Sequence, residues 1–126
     1  MTLLTTVLRE SFTRERFARV PEDDLVMDTD EAVQAFVRAA APKGVLSGVY
    51  AFYREQAGRM IRAGDRVLDL GCGPAALLST IALAHREAHF VGVDLSDGMA
   101  DAARRTAAAA GADNVELRID DMTTLA

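Results

Sequence analysis

The residues best suited to chemistry stand in the stretch RVLDLGCGPA, Arg66 to Ala75. Gly71, Gly73 and Ala76 fill a G-x-G-x-x-G/A pattern directly after an apolar run and at the start of a helix-forming segment, the context a cofactor-cradling backbone loop requires. Asp94 closes the next apolar run about 20 residues further on, near the separation at which a carboxylate meets a ribose diol. A diol presents two hydroxyl donors side by side, and one carboxylate at the carboxyl end of an adjacent strand can accept both. The competing reading of the loop is a tight turn that binds nothing. For Asp94 it is a helix cap, a task that Ser96 already serves.

Asp69 discriminates between cofactors. A dinucleotide lays its pyrophosphate on such a loop and on the helix N-terminus behind it, and Asp69 stands two residues before Gly71. Two like charges about 4 Å apart at an effective dielectric near 20 repel by roughly 4 kcal/mol. NAD and FAD are disfavoured accordingly. A cofactor with a cationic amino group and no phosphate suits the same carboxylate, and S-adenosylmethionine has that chemistry.

These residues need elements to hold them. From Arg66 the pattern runs strand, loop, helix, repeated: RVLDL, HFVGVDL and NVELRI are apolar strand-like runs, and PAALLSTIALAHRE and SDGMADAARRTAAAAGA are rich in helix formers. Strands separated by helices of that length imply a parallel, right-handed βαβαβ unit. The turn GADN stops the second crossover helix. Up to about Ala63 the periodicity is helical. Leu4, Leu8 and Phe12 recur at four-residue steps, and Val33, Phe36, Val37 and Ala40 mark one helix face. Asp28 with Glu31 resembles a capping arrangement, and Pro42 with Gly44 ends that helix. A third helix is expected to carry Val45, Val49, Phe52, Tyr53, Met60 and Ile61, these stripes covering a core. The chain thus divides into a helical segment, residues 1–63, and a βαβαβ unit, residues 64–126.

Length and charge bound the function. At 126 residues the chain is about one domain. Its net charge of -5 and scattered basic residues give no footprint for nucleic acid. One cysteine, Cys72, and two histidines, His85 and His89, make neither a disulfide nor a metal-ligand spacing, and a reducing cytoplasm is the expected setting. The start MTLLTTVLRESF lacks signal-peptide order, and no apolar run approaches the roughly 20 residues that span a bilayer. Both histidines fall on the amino side of the sheet, away from the carboxyl ends where ligands bind, and are expected to be structural.

VLDLGCGPA, VGVDLS and RIDDM, in that order, resemble the first three cofactor motifs of the class I S-adenosylmethionine-dependent methyltransferases over about Arg66 to Met122. Position by position, the resemblance implies that Asp69, Gly71, Cys72 and Gly73 line the methionine part of the cofactor, with Cys72 a small packing residue and not a catalytic thiol. It implies that Asp94 holds the ribose hydroxyls, that Leu95 packs on the adenine with Met99 in the same set, that Asp121 or Asp120 accepts from the adenine amino group, and that Met122 flanks the ring. Family members often have glycine where this chain has Ala75. A tyrosine of the upstream segment, Tyr53 or Tyr50, can face the sulfonium, whose charge favours an aromatic face; the competing reading makes both core or interface residues.

The family's sheet has seven strands with the fourth beside the first, so the resemblance implies a truncated fold here, with residues 64–126 the first half of the Rossmann-like cofactor-binding domain and residues 1–63 serving lid, substrate or dimer contacts. A VLDL strand left at an edge invites self-association or completion by a C-terminal half. The expected function is methyl transfer to a small molecule, yielding S-adenosylhomocysteine, with this chain supplying mainly cofactor binding and little turnover alone. No catalytic residue is assigned. The alternatives are a non-catalytic interaction module of the same fold and an NAD-type nucleotide-binding protein.

Overall fold

The computed structural model describes residues 26–122 except 28, together with residue 124. The stripe Leu4, Leu8 and Phe12 and the Asp28 cap lie outside the described residues. The first described helix, α1 (Asp30–Ala40), is capped by Thr29, whose side-chain oxygen accepts from the Ala32 N–H at 3.3 Å. Asp30 and Glu31 in its first turn complement the positive end of the helix dipole. Its apolar stripe does what the periodicity predicts. Val33 and Ala40 are buried, Phe36 and Val37 are partly buried, and Val33 packs with Met99 and Ala102. The helix ends just before Pro42, as a proline's predecessor disfavours helical backbone.

The next helix, α2 (Ser47–Gly58), corrects an expectation. Val45, Val49, Phe52, Tyr53 and Met60 are exposed, and no residue of α2 is buried. Periodicity identifies a stripe but not the neighbour that will cover it. Here α2 meets the core through Ala57, and Ile61, just beyond the helix, is the member of the expected stripe that does pack there.

The remaining elements follow the predicted alternation: β1 (Arg66–Leu70), α3 (Ala76–Ala84), β2 (His89–Asp94), α4 (Asp97–Ala110) and β3 (Val115–Ile119). The strands form one parallel sheet in the order β1-β2-β3, with Asp69 opposite Gly92 and Asp94 opposite Ile119. Both crossover helices pack on one face. Leu78, Ile81 and Ala82 of α3 and Ala103 and Ala107 of α4 cover Phe90, with Val67, Val115 and Leu117 beside it. Phe90 is fully buried, worth about 1.5–3 kcal/mol for a side chain of this kind. The small residues of α4 let its backbone approach the sheet closely. Gly111, with φ 69°, ends that helix, its N–H donating to Ala107 and Ala108 carbonyls.

Asn114 closes the amino end of the sheet. Its amide nitrogen donates to the carbonyls of Ala82, His85 and Ala88 at 3.2, 3.1 and 2.9 Å, tying the end of α3 to the start of β2. On the uncovered face, Leu68 and Leu70 of edge strand β1 are 56 % and 47 % exposed. The whole is the α/β, Rossmann-like arrangement the sequence predicts. Its three parallel strands direct their carboxyl ends, and the loops that follow them, to one side of the molecule.

Candidate functional site

The site is built where β2 ends. The N–H groups of Gly71 and Cys72 donate to the Val93 carbonyl at 2.8 and 3.0 Å, folding the glycine loop back over the neighbouring strand. The Asp94 carboxylate then fixes that loop. One of its oxygens accepts from the Gly73 N–H at 2.8 Å, and the other accepts from the Ser96 N–H at 3.0 Å. Each oxygen keeps a lone-pair direction, so the carboxylate can position the loop and still accept from a ligand. Gly71 and Gly73 have φ values of 74° and 52°, a region that side chains strain to enter. A Cβ at Gly71 would stand 3.6 Å from the Met122 methyl, and one at Gly73 would stand 3.4 Å from the Phe36 ring. Their bare backbones leave room against the cleft. Ala75 also takes a left-handed conformation, with φ 52°, and is fully buried at the start of α3.

Ser96 starts α4 as predicted, and it does more. Its hydroxyl oxygen accepts from the Met99 N–H at 3.0 Å while its hydroxyl donates to the Met27 carbonyl at 2.9 Å. One buried side chain therefore ties the segment before α1 to the end of β2.

Around this point lies a cleft of about 640 Å³. Of the predicted residues, Gly71, Gly73, Asp94, Leu95, Met99, Asp120, Asp121 and Met122 line it. Asp120 accepts from the Asp121 N–H at 2.8 Å. Asp69, Cys72 and Tyr53 are not in its wall. Asp69 lies close enough to Asp94, Cys72 and Tyr50 for its charge to act on the latter two. Cys72 packs against the core, its sulfur 2.9 Å from where a Gly92 side chain would begin. Tyr53 points outward and meets Phe52 edge-on, with centroids 5.7 Å apart. Val26, Met27, Phe36, Val93 and Ser96 complete the wall. Phe36 packs in the core stripe as its spacing predicts and also reaches the cleft, Ser96 adds a place in the wall to its cap, and Val26 and Met27 carry no periodic signal.

The electrostatics are one-sided. Among the described residues the cleft wall contains Asp94, Asp120 and Asp121 and no lysine or arginine. Burial raises the Asp69 carboxyl above the usual carboxylate range, and the Asp94 charge adds to the rise. Burial, with Asp69 and Asp94 in support, pushes the Cys72 thiol up to about 12, so it stays protonated at neutral pH. Tyr50 is also raised, by burial and then by Asp69. Such a region favours a cationic, hydroxyl-bearing ligand and opposes a phosphate. Among the described residues no three His, Cys, Asp or Glu side chains cluster as a metal site, and no helix is long and apolar enough to cross a membrane.

Comparison with known proteins agrees with this chemistry. A family model described as a methyltransferase domain matches residues 61–126, just over half of the chain. A solved S-adenosylmethionine-dependent methyltransferase from Thiobacillus denitrificans, in complex with S-adenosylhomocysteine, is 30% identical with a TM-score of 0.56, covering 75% of this chain and 38% of its own. Coclaurine N-methyltransferase, bound to N-methylheliamine and S-adenosylhomocysteine, is 27% identical with a TM-score of 0.54, covering 84% of this chain and 26% of its own. An RNA methyltransferase from Salinibacter ruber, with S-adenosylhomocysteine, is 28% identical at a TM-score of 0.51, covering 58% and 49%. The chain thus spans less than half the length of each of these neighbours. No curated protein matches the sequence.

Proposed function

The chain belongs to the class I S-adenosylmethionine-dependent methyltransferases, and from that premise we propose that the cleft at the end of β2 holds the cofactor and serves methyl transfer to a small molecule. The observation that carries this is Asp94, which fixes the glycine loop through Gly73 and keeps acceptor capacity toward the cleft. In this reading Asp94 accepts from the ribose hydroxyls, Leu95 and Met122 flank the adenine with Met99 behind them, and Asp120 or Asp121 accepts from the adenine amino group. Gly71 and Gly73 give backbone approach to the methionine part. Asp69 draws the cationic ammonium, with Cys72 as inert packing beside it.

When bound, the cofactor supplies a methyl group on a positively charged sulfur, open to in-line attack by an acceptor. The residues of this chain bind and orient it; most of the catalytic gain in such a displacement comes from that positioning. Residues 64–126 are assigned the cofactor work and residues 1–63 a covering role through Val26, Met27 and Phe36, since neither Tyr50 nor Tyr53 lines the cleft. Little turnover is expected from the 126 residues alone. The small-molecule acceptor is favoured by the net charge of -5 and the acidic cleft wall, which oppose a polyanion. A single partly buried cysteine suits a cytoplasmic setting.

Calorimetric titration tests the reading. S-adenosylhomocysteine is expected to bind with one site per chain, D94A is expected to weaken it by at least about tenfold, and NAD is expected to bind far more weakly. Tighter binding of NAD would overturn the cofactor assignment. Transfer of labelled methyl to RNA in preference to small amines and alcohols would overturn the acceptor class.

A further inference from the structure

Among the described residues the cofactor cleft has one aromatic side chain in its wall, Phe36 of α1. Part of its ring packs on the cluster of Val33, Met99 and Ala102, as a stripe residue should. The ring is only partly buried there, and its Cε1 and Cδ1 edge lies 3.4 and 3.8 Å from where a Gly73 side chain would begin. The helix that carries it is held firmly. The Thr29 cap and the Ser96–Met27 hydrogen bond fix its start, and Val33 stands 2.9 Å from where a Gly98 side chain would begin, so α1 lies tight on the first turn of α4. A side chain on so packed an element keeps one placement.

The inference rests on the cofactor reading above, in which Asp94 takes the ribose hydroxyls. One Asp94 oxygen accepts from the Gly73 N–H at 2.8 Å. The cofactor's sulfur is one carbon away from the ribose ring and leads into the methionine part, which that reading lays along the glycine loop. Gly73 therefore flanks the path of the sulfur, and Phe36 flanks Gly73. A positive charge beside an aromatic ring is attracted by the ring quadrupole, an attraction the aliphatic side chains of the wall, Val26, Met27, Leu95 and Met122, do not offer. Methyl transfer removes that charge. The acceptor's electron pair forms the new bond to the methyl carbon, the old sulfur–carbon pair returns to sulfur, and the product is a neutral thioether. The adenine, the ribose, the ammonium and the carboxylate are the same before and after, so a ring beside the sulfur distinguishes two ligands that the rest of the cleft meets alike.

We propose that Phe36 is a specificity-determining residue whose ring lies against the cofactor's sulfur and favours the charged sulfonium relative to the neutral thioether product.

The full chain and its F36L and F36Y variants are titrated calorimetrically with S-adenosylmethionine, S-adenosylhomocysteine and sinefungin, which carries an ammonium group in place of the sulfonium. F36L is expected to weaken the two charged ligands relative to S-adenosylhomocysteine by about 3- to 30-fold. F36Y keeps the ring and is expected to hold the wild-type ratios within about twofold. On the wild-type chain, a nuclear Overhauser effect between the S-methyl protons of bound S-adenosylmethionine and the Phe36 ring is expected, a measurement that needs neither variant to fold. Unmoved ratios in F36L, equal losses in F36L and F36Y, or absence of that Overhauser effect overturn the inference, and retained S-adenosylhomocysteine binding then leaves the cofactor assignment standing. Failure of all three ligands to bind wild type overturns both.

Discussion

Replacing Asp69 by asparagine separates a binding role from a structural one, because the two predict opposite signs. Burial and the Asp94 charge both raise the Asp69 carboxyl. A carboxyl raised in the folded state holds its proton more tightly there than in the unfolded chain. Stability of the unliganded protein therefore falls as pH climbs from the ordinary carboxylate range to the raised one, and is level beyond it. Removing the charge removes that loss, so unliganded D69N is expected to be at least as stable as wild type at pH 7. Binding runs the other way. The cofactor's ammonium favours the ionised carboxylate, so wild-type affinity for S-adenosylhomocysteine rises with pH through the raised range and then levels. The gross attraction at about 4 Å and an effective dielectric near 20 is about 4 kcal/mol. Net of desolvation, a charge-assisted hydrogen bond contributes about 1.5–3 kcal/mol, so D69N is expected to weaken binding about 10- to 150-fold at pH 7 and to flatten the pH dependence. Calorimetry from about pH 4, the ordinary carboxylate range, up to about pH 8, with parallel thermal melts, measures both. A D69N affinity within about twofold of wild type, or an unchanged pH slope, would refute the reasoning.

Ser96→Ala removes the acceptor for the Met99 N–H and the donor to the Met27 carbonyl; a loss of about 1–3 kcal/mol is expected in urea unfolding, with weaker S-adenosylhomocysteine binding as Met27 comes free of the cleft wall. Gly73→Ala forces a side chain to φ 52° beside Phe36, and about 1–2 kcal/mol of strain is expected, read as a lowered melting temperature together with weakened cofactor binding. Cys72, with its thiol pushed up to about 12, is expected to alkylate with iodoacetamide at pH 8 far more slowly in the native protein than after unfolding; equal rates would contradict the buried, protonated thiol.

The strands and crossovers were legible because each has a local cause. RVLDL is bounded by turn residues on both sides, β1 occupies those five residues, and Ser96 and Gly111 cap α4 where their chemistry predicts. The side of α2 that packs was not legible. Val49 and Phe52 repeat at helical spacing as well as Ala57 and Ile61 do, and only the position of the core selects the side that packs. The cleft was half legible for a similar reason. Asp94 and the glycines carry their roles in their side chains, or in lacking one. Met27 contributes a backbone carbonyl, which any residue could offer and no sequence pattern marks. Phe36 belongs to the same stripe as Val33 and packs on the same cluster, yet its ring also reaches Gly73.

Ala75 has a bearing on how this loop can change over generations. Exchanging its left-handed, fully buried alanine for glycine relieves about 1–2 kcal/mol of backbone strain. It forfeits about 0.8 kcal/mol for the buried methyl and about 0.4–1 kcal/mol through the greater freedom of the unfolded chain. These terms cancel to within about 1 kcal/mol. At such a position mutation can pass in either direction with little change in stability. Gly73, two residues earlier, shares that left-handed φ of 52°, and a methyl there would touch the Phe36 ring at 3.4 Å, on the cleft side of the loop.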